Sequence, residues 1–154
     1  MSFEANKISD TIIALATERG DRQITNLKLQ KLLYYTQAWY LAFTGQPLFS
    51  ESIEAWLHGP VVPSEFRRYR EFRWNPIDSH GEPCDDADVR KHIEAVLDAY
   101  GKFSATQLER LTHREDPWKN ARRGLEPDIP SRNVIPHAAM RDYYRSRLVA
   151  SSNG

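Results

Sequence analysis

The side chains best suited to proton transfer or metal binding are five histidines (His58, His80, His92, His113 and His137), a single cysteine (Cys84) and a run of acids at Asp85, Asp86 and Asp88. No two histidines stand three or four residues apart, so a helical face carrying two metal-ligating imidazoles is excluded. His80 and Cys84 give two ligands in one loop where zinc takes three or four from the protein. The three acids precede an apolar helix, where carboxylates cap the first turn and favour the positive end of the helix dipole. No metal and no cofactor are expected. The strongest catalytic grouping is His113 with Glu115 or Asp116, joined in space by His58, which would suit a small hydrolase or nucleotide-processing enzyme. Thr112-His113 stands just before a well-capped helix, however, where a histidine commonly bonds to backbone and fixes a loop; that structural role is favoured. With no GxSxG elbow, phosphate-cradling glycine loop or dinucleotide fingerprint, no enzyme activity is expected.

A different chemistry is concentrated in Phe66-Arg67-Arg68-Tyr69-Arg70-Glu71-Phe72-Arg73-Trp74. Arginines interleaved with aromatic rings suit phosphate or nucleobase contact, and they are also the residues enriched at protein-binding hot spots. Read as one helix, Phe66, Tyr69 and Arg73 share one side and Arg67, Arg70 and Trp74 another. Twenty-one Lys and Arg balance twenty-one Asp and Glu, so no overall field draws the chain to nucleic acid or an anionic membrane. Direct nucleic-acid binding is not expected. The candidate partner-binding residues are Arg67, Arg70, Arg73 and Trp74, with Trp56 and His58 as a second group; Trp39 and Trp118 are assigned to the core.

Positioning these groups falls to a helix predicted from Thr25 to Gly45. Thr25 is a good N-cap, Ile24 can staple onto Leu29, and Gly45 suits a left-handed stop. Leu29, Leu32, Leu33, Thr36, Tyr40 and Phe43 form one stripe, and Leu27, Tyr34, Ala38 and Leu41 a second, so the helix is expected to be buried at the centre of the domain. Ile53, Ala55 and Leu57 alternate with Glu54, Trp56 and His58 as a strand that Gly59-Pro60 stops, and Pro63 opens the next helix. Before the central helix, Ile8, Ile12, Leu15 and Ala16 stripe a helix stopped at Gly20. After it, residues 74–84 read as an exposed connection with a short strand near Ile77. Three more helices are expected: Val89 to Tyr100, one opened by a Ser104/Gln107 capping box, and one capped by Asp116 with Pro117 in its first turn. A last helix from near Pro136 turns Met140, Tyr143, Tyr144 and Leu148 inward, and 151–154 should fray. The expected fold is mainly α (α+β): a compact single domain over residues 1–150, built around a central buried helix with a small β element. One cysteine, no signal peptide and no long apolar run lead to the expectation of a soluble, cytoplasmic protein with no membrane partner.

Three segments in register carry a family resemblance: Leu27-Lys28-Leu29-Gln30-Lys31-Leu32-Leu33-Tyr34-Tyr35; Glu54-Ala55-Trp56 with Gly59-Pro60-Val61 and Pro63; and Leu111-Thr112-His113 with Asp116-Pro117-Trp118 and Ala121. Their order and spacing resemble the Panacea domain family, the SocA-like antitoxin domain also described as phage-associated GepA-like. Residues 67–86 depart most from it. The resemblance implies a module that binds and neutralises a cognate toxin encoded nearby, and in some relatives an adaptor that hands the toxin to an ATP-dependent protease. The toxin's identity, and whether the chain self-associates, do not follow from it.

Overall fold

The computed structural model describes residues 2–153, with side chains described through Leu148. Helix α2 (Asn26–Thr44) begins where Thr25 Oγ1 accepts the Lys28 amide at 3.2 Å. It stops at Gly45, whose φ of 77° lets its amide reach Leu41 O at 2.8 Å. On it pack α1 (Ala5–Glu18), α3 (Pro63–Arg68), α4 (Ala87–Tyr100), α5 (Ala105–His113) and α7 (His137–Asn153), with the second strand of an antiparallel hairpin, β1 (Glu54–Trp56) and β2 (Gly59–Val61). Helix α6 (Asp116–Ala121) fills the space between α5, α7 and β1. The fold is mainly α with a small β element, as expected.

Leu29, Leu32, Leu33, Tyr34, Tyr35, Ala38 and Leu41 of α2 are buried against Ile8 and Ile12 of α1, Ile93 and Val96 of α4, and Met140 and Tyr144 of α7. Each large aliphatic side chain so buried stabilises the fold by about 1.5–3 kcal/mol. The same helix also buries Asn26, Lys28, Gln30, Lys31, Thr36 and Gln37. Apart from Thr36, which donates to Leu32 O within α2, these polar side chains serve as backbone partners for the segments packed around the helix. Gln37 Oε1 accepts the Leu48 and Phe49 amides at 2.7 and 3.3 Å while its Nε2 donates to Phe49 O at 2.7 Å. Gln30 Oε1 accepts the Val62 amide at 3.0 Å, Asn26 Nδ2 donates to Phe66 O at 2.9 Å, and Lys28 Nζ donates to Gly101 O at 2.7 Å.

Several sequence expectations need correction. Gly59-Pro60 does not stop the ladder but continues it as β2, pairing Trp56 with Gly59 and Ala55 with Pro60; a proline is tolerated because β2 is an edge strand. No strand forms at Ile77, whose amide instead donates to Ile24 O at 2.8 Å. The other edge of β1 is met by the stretch before α7, through Ala55 N to Asn133 O and Ile135 N to Ile53 O. The connection over 74–84 is only partly exposed: Ile77 and Cys84 are buried. Asp10 Oδ1 accepts the Gly81 amide there, and Thr11 Oγ1 the Cys84 amide. Phe43, expected inward, is 59 % exposed, because in the last turn of α2 it is Leu41 and Ala42 that face the core. Helix α6 is capped at Glu115 rather than Asp116, which is its first residue. The arginine-rich segment is not one helix: α3 ends at Arg68, a 3₁₀ turn covers Arg70–Phe72, and Arg73 adopts φ 56°. The expected tail over 151–154 falls where side chains are not described and, at Gly154, outside the described residues.

Replacing Gln37 by leucine, which nearly preserves volume, leaves two amides and a carbonyl without partners in the core. The variant should lose about 2–4 kcal/mol of stability, read as a lowered denaturant midpoint with an unchanged slope.

Candidate partner-binding face

The three motif segments meet behind the hairpin turn. Lys31 Nζ, fully buried, donates to Pro60 O at 3.1 Å. Its stem lies so close beneath Gly59 that a Cβ there would sit 2.6 Å from Lys31 Cε and 3.1 Å from Thr112 Oγ1, and the φ of +107° also favours glycine. From the other side Trp118 Nε1 donates to Trp56 O at 2.8 Å, and the His113 ring stacks on Trp118 with centroids 3.9 Å apart. Buried Arg122 lies 4.6 Å from the centre of the Trp118 ring and donates to the carbonyls of Glu126 and Ile129. Leu29, Leu32 and Tyr34 are buried on α2, Tyr34 against Tyr144 of α7, while Gln30 fixes the entry to α3 at Val62 and Pro117 is buried at the start of α6. The motif residues thus form a clamp that holds the hairpin against α2.

Electrostatics in the clamp follow from burial. Desolvation lowers the Lys31 amine to about 7, with nearby Glu109 acting in the opposite direction. His113 is also lowered, first by desolvation and then by the cations Lys31 and Arg122, with Glu109 opposing. Its Nε2 is buried without a hydrogen-bond partner. Of the groups considered for acid–base catalysis, His58 and His113 share Glu109 as a neighbour, whereas Glu115 and Asp116 are engaged elsewhere. Glu115 Oε1 accepts from Tyr35 at 2.6 Å and Tyr144 at 3.1 Å, and Tyr144 accepts in turn from Tyr34 at 3.0 Å. Asp116 faces Lys119, and His58 Nδ1 lies 3.2 Å from Glu109 at the tip of the hairpin. His92 Nε2 bonds to Thr36 O, while His80 is exposed and Cys84 buried. The Glu115 and tyrosine cluster was not legible in the sequence: the tyrosines read as core, and nothing local marks Glu115 as their acceptor.

The residues nominated for partner contact divide between two neighbouring zones. Trp56 is half-buried, its Nε1 donating to Glu54 and its ring meeting Phe66 edge-on at 5.1 Å. His58 projects from the adjoining turn. Beyond Phe66, Arg70, Arg73 and Trp74 line an open groove with Leu27 and Ala105, and Trp74 is 78 % exposed. Arg67 is exposed one turn before Arg70, so the broken helix still gathers the arginines the sequence singled out. Arg68, also at the surface, is engaged by Asp10 at 2.6 Å and Glu65 at 3.2 Å.

The fold and this face define a small, mainly α domain with a rigid polar clamp inside and its free arginines and an exposed tryptophan outside. Residues 29–119 match the family described as Antitoxin SocA-like, Panacea domain, and the chain belongs to that family. Over an alignment of 162 positions it is 30 % identical to Antitoxin SocA of Caulobacter vibrioides (strain NA1000 / CB15N), covering 96 % of this chain and 84 % of that protein. No solved structure matches it.

Between about pH 7 and the ordinary lysine value of 10.5, the folded chain holds fewer protons at Lys31 than the unfolded chain. Stability should therefore rise with pH through that window, by up to about 1.4 kcal/mol per unit. Subtracting the urea midpoints of Lys31→Met across pH 6.5 to 9.5 should isolate that slope. In the tyrosine cluster, Glu115→Gln keeps an acceptor and removes a carboxylate whose pKa burial raises. It should be neutral or stabilising at pH 7, whereas Glu115→Ala should cost about 2–4 kcal/mol by stranding two hydroxyls; thermal melts of the pair check both.

Proposed function

We propose that this chain is the antitoxin of a bacterial or phage toxin–antitoxin pair, a cytoplasmic, non-enzymatic domain of residues 1–150 that neutralises a cognate toxin by binding it directly. Neutralisation is steric: the domain covers the surface with which the toxin works. Family membership supports the antitoxin role. The observation that carries the binding mechanism is the contrast between the inside and outside of the molecule. Of the groups capable of chemistry, Glu115 and Lys31 are taken up by tyrosine hydrogen bonds and the hairpin clamp, and His113 is stacked on Trp118 with its Nε2 buried. Among the described residues, the exposed Arg67, Arg70 and Arg73 make no ion pair. Trp56, His58 and Trp74 extend the same side of the molecule, and arginine and tryptophan are the residues that most often dominate binding energy.

A second reading, delivery of the toxin to an ATP-dependent protease, needs a second contact surface. One observation favours it: an apolar groove of about 260 Å³ between α2, α4 and α7, lined by Trp39, Phe43, Val96, Tyr100 and Leu148. Its elements are different from those carrying the arginines.

Co-expression with the neighbouring open reading frame distinguishes these readings. Rescue of a growth-arrested host together with a stable purified complex is the expected outcome. Failure of both, with the chain folded, rejects the antitoxin assignment and returns attention to His113, whose alanine variant would then be assayed for lost hydrolytic activity. A toxin half-life that shortens in the chain's presence, and recovers in Phe43→Ser with the complex intact, would establish delivery over simple covering.

A further inference from the structure

We infer that the groove bounded by the 3₁₀ turn, the start of α2 and the start of α5 binds an acidic protein segment carrying an aromatic or aliphatic anchor. This deepens the antitoxin reading and rests on it, the segment belonging to the toxin. The groove measures about 460 Å³ and is floored by Leu27, Phe66 and Ala105, with Arg70, Arg73 and Trp74 as its wall. That volume admits an apolar side chain, and a wall of this composition supplies bidentate donors and a flat ring for it.

Charge decides the sign of the partner. Arg68 is neutralised by Asp10 and Glu65, which leaves Arg67, Arg70 and Arg73 exposed against one exposed acid of the segment, Glu71. The groove also receives the amino-terminal ends of α2, through Thr25 and Asn26, and of α5, through Ala105. At the first of these, Thr25 Oγ1 takes the Lys28 amide, so the amides of Asn26 and Leu27 still point out of the helix unpaired within it. Two free guanidiniums in the groove, Arg70 and Arg73, a third exposed one turn earlier at Arg67, and two positive helix ends beside an apolar floor are complementary to carboxylates next to an apolar anchor. A nucleic acid is the poorer fit, since the chain as a whole carries no net charge to hold a phosphate backbone.

Backbone strain points to the same place. Arg73 holds φ 56° and ψ −118°, a conformation that costs a non-glycine residue free energy and persists where the surroundings or the function require it. It sets Arg73 and Trp74 outward from the 3₁₀ turn instead of letting them continue a helix.

The test measures affinity for the purified product of the neighbouring open reading frame by calorimetry, with thermal melts of each variant. Arg70→Glu/Arg73→Glu and Trp74→Ala should each weaken binding at least tenfold while melting like wild type, and wild-type affinity should fall as salt rises. Arg73→Gly relieves the positive φ, so it should melt no lower than wild type and still bind more weakly. A complex that forms and is unaffected by all three variants overturns the groove assignment and leaves the antitoxin reading standing. If wild type captures no such partner, the antitoxin reading fails and the groove is judged alone. The probes are then a labelled peptide alternating Glu with Leu and Trp, the same peptide with Lys for Glu, and a single-stranded oligonucleotide. Capture of the acidic peptide alone, abolished in the double variant, sustains the groove; no capture of it, or preference for the oligonucleotide, overturns it.

Discussion

Chain segments that wrap α2 without regular secondary structure find their backbone hydrogen bonds on the side chains of α2 itself, and the rest of the molecule depends on that arrangement. Buried amides and carbonyls must be paired, and the stretches around Leu48–Phe49 and Val62 have no sheet or helix of their own to pair with. Gln37 and Gln30 supply those partners from 0 % exposed positions, and Lys31 extends the arrangement to strand β2 by donating to Pro60 O. A helix with only apolar side chains could bury the same area, yet would leave these loops with unpaired groups in the core. The amphiphilic core of α2 therefore explains how a domain with just one two-stranded hairpin among the described residues can hold long irregular connections tightly.

The same logic reaches the surface. Lys31 and Thr112 crowd Gly59 from one side, and Trp118 grips Trp56 from the other, so the hairpin has little freedom to shift. Trp56 in turn contacts Phe66, and the Asn26 side chain fixes Phe66 O. The floor of the arginine groove is thus continuous with the polar core, and its wall is held in a strained turn. Contacts made by a rigid surface lose less free energy to ordering on binding than those made by a loop.

Legibility in the sequence followed the range of the interactions. The ends of α2, the first turn of α4 and the capping box at Ser104 are set by residues within four positions of one another, and they were readable. The hairpin was half readable: alternation marked β1, but Gly59-Pro60 read as a stop because pairing across a two-residue turn depends on where α2 and α5 support the second strand. The helix break after Arg68 was not readable, since it depends on Tyr69 turning inward to donate to Asp10, fifty-nine residues away. Likewise, charge and amide patterns on α2 gave no sign that Lys31 and Gln37 were interior, because their partners lie on segments distant in sequence. Of the face, residue type alone selected Arg70, Arg73 and Trp74, and folding placed them together by a route other than the helical faces expected.

The separation between clamp and groove bears on how such a domain meets its partner. The segments that resemble the family lie largely behind the hairpin, where Lys31 and Thr112 leave no room for a Cβ at Gly59, His113 stacks on Trp118 at 3.9 Å and Trp118 donates to Trp56 O at 2.8 Å. The segment that departs most from the family motifs is the one that carries the free arginines and Trp74. Substitutions in the clamp act on folding first, because they strand buried groups or force backbone apart. Substitutions at the exposed Arg70, Arg73 and Trp74 touch few buried contacts and leave the fold in place. A scaffold divided in this way can keep its fold while the charge and shape of the stretch from Phe66 to Trp74 change.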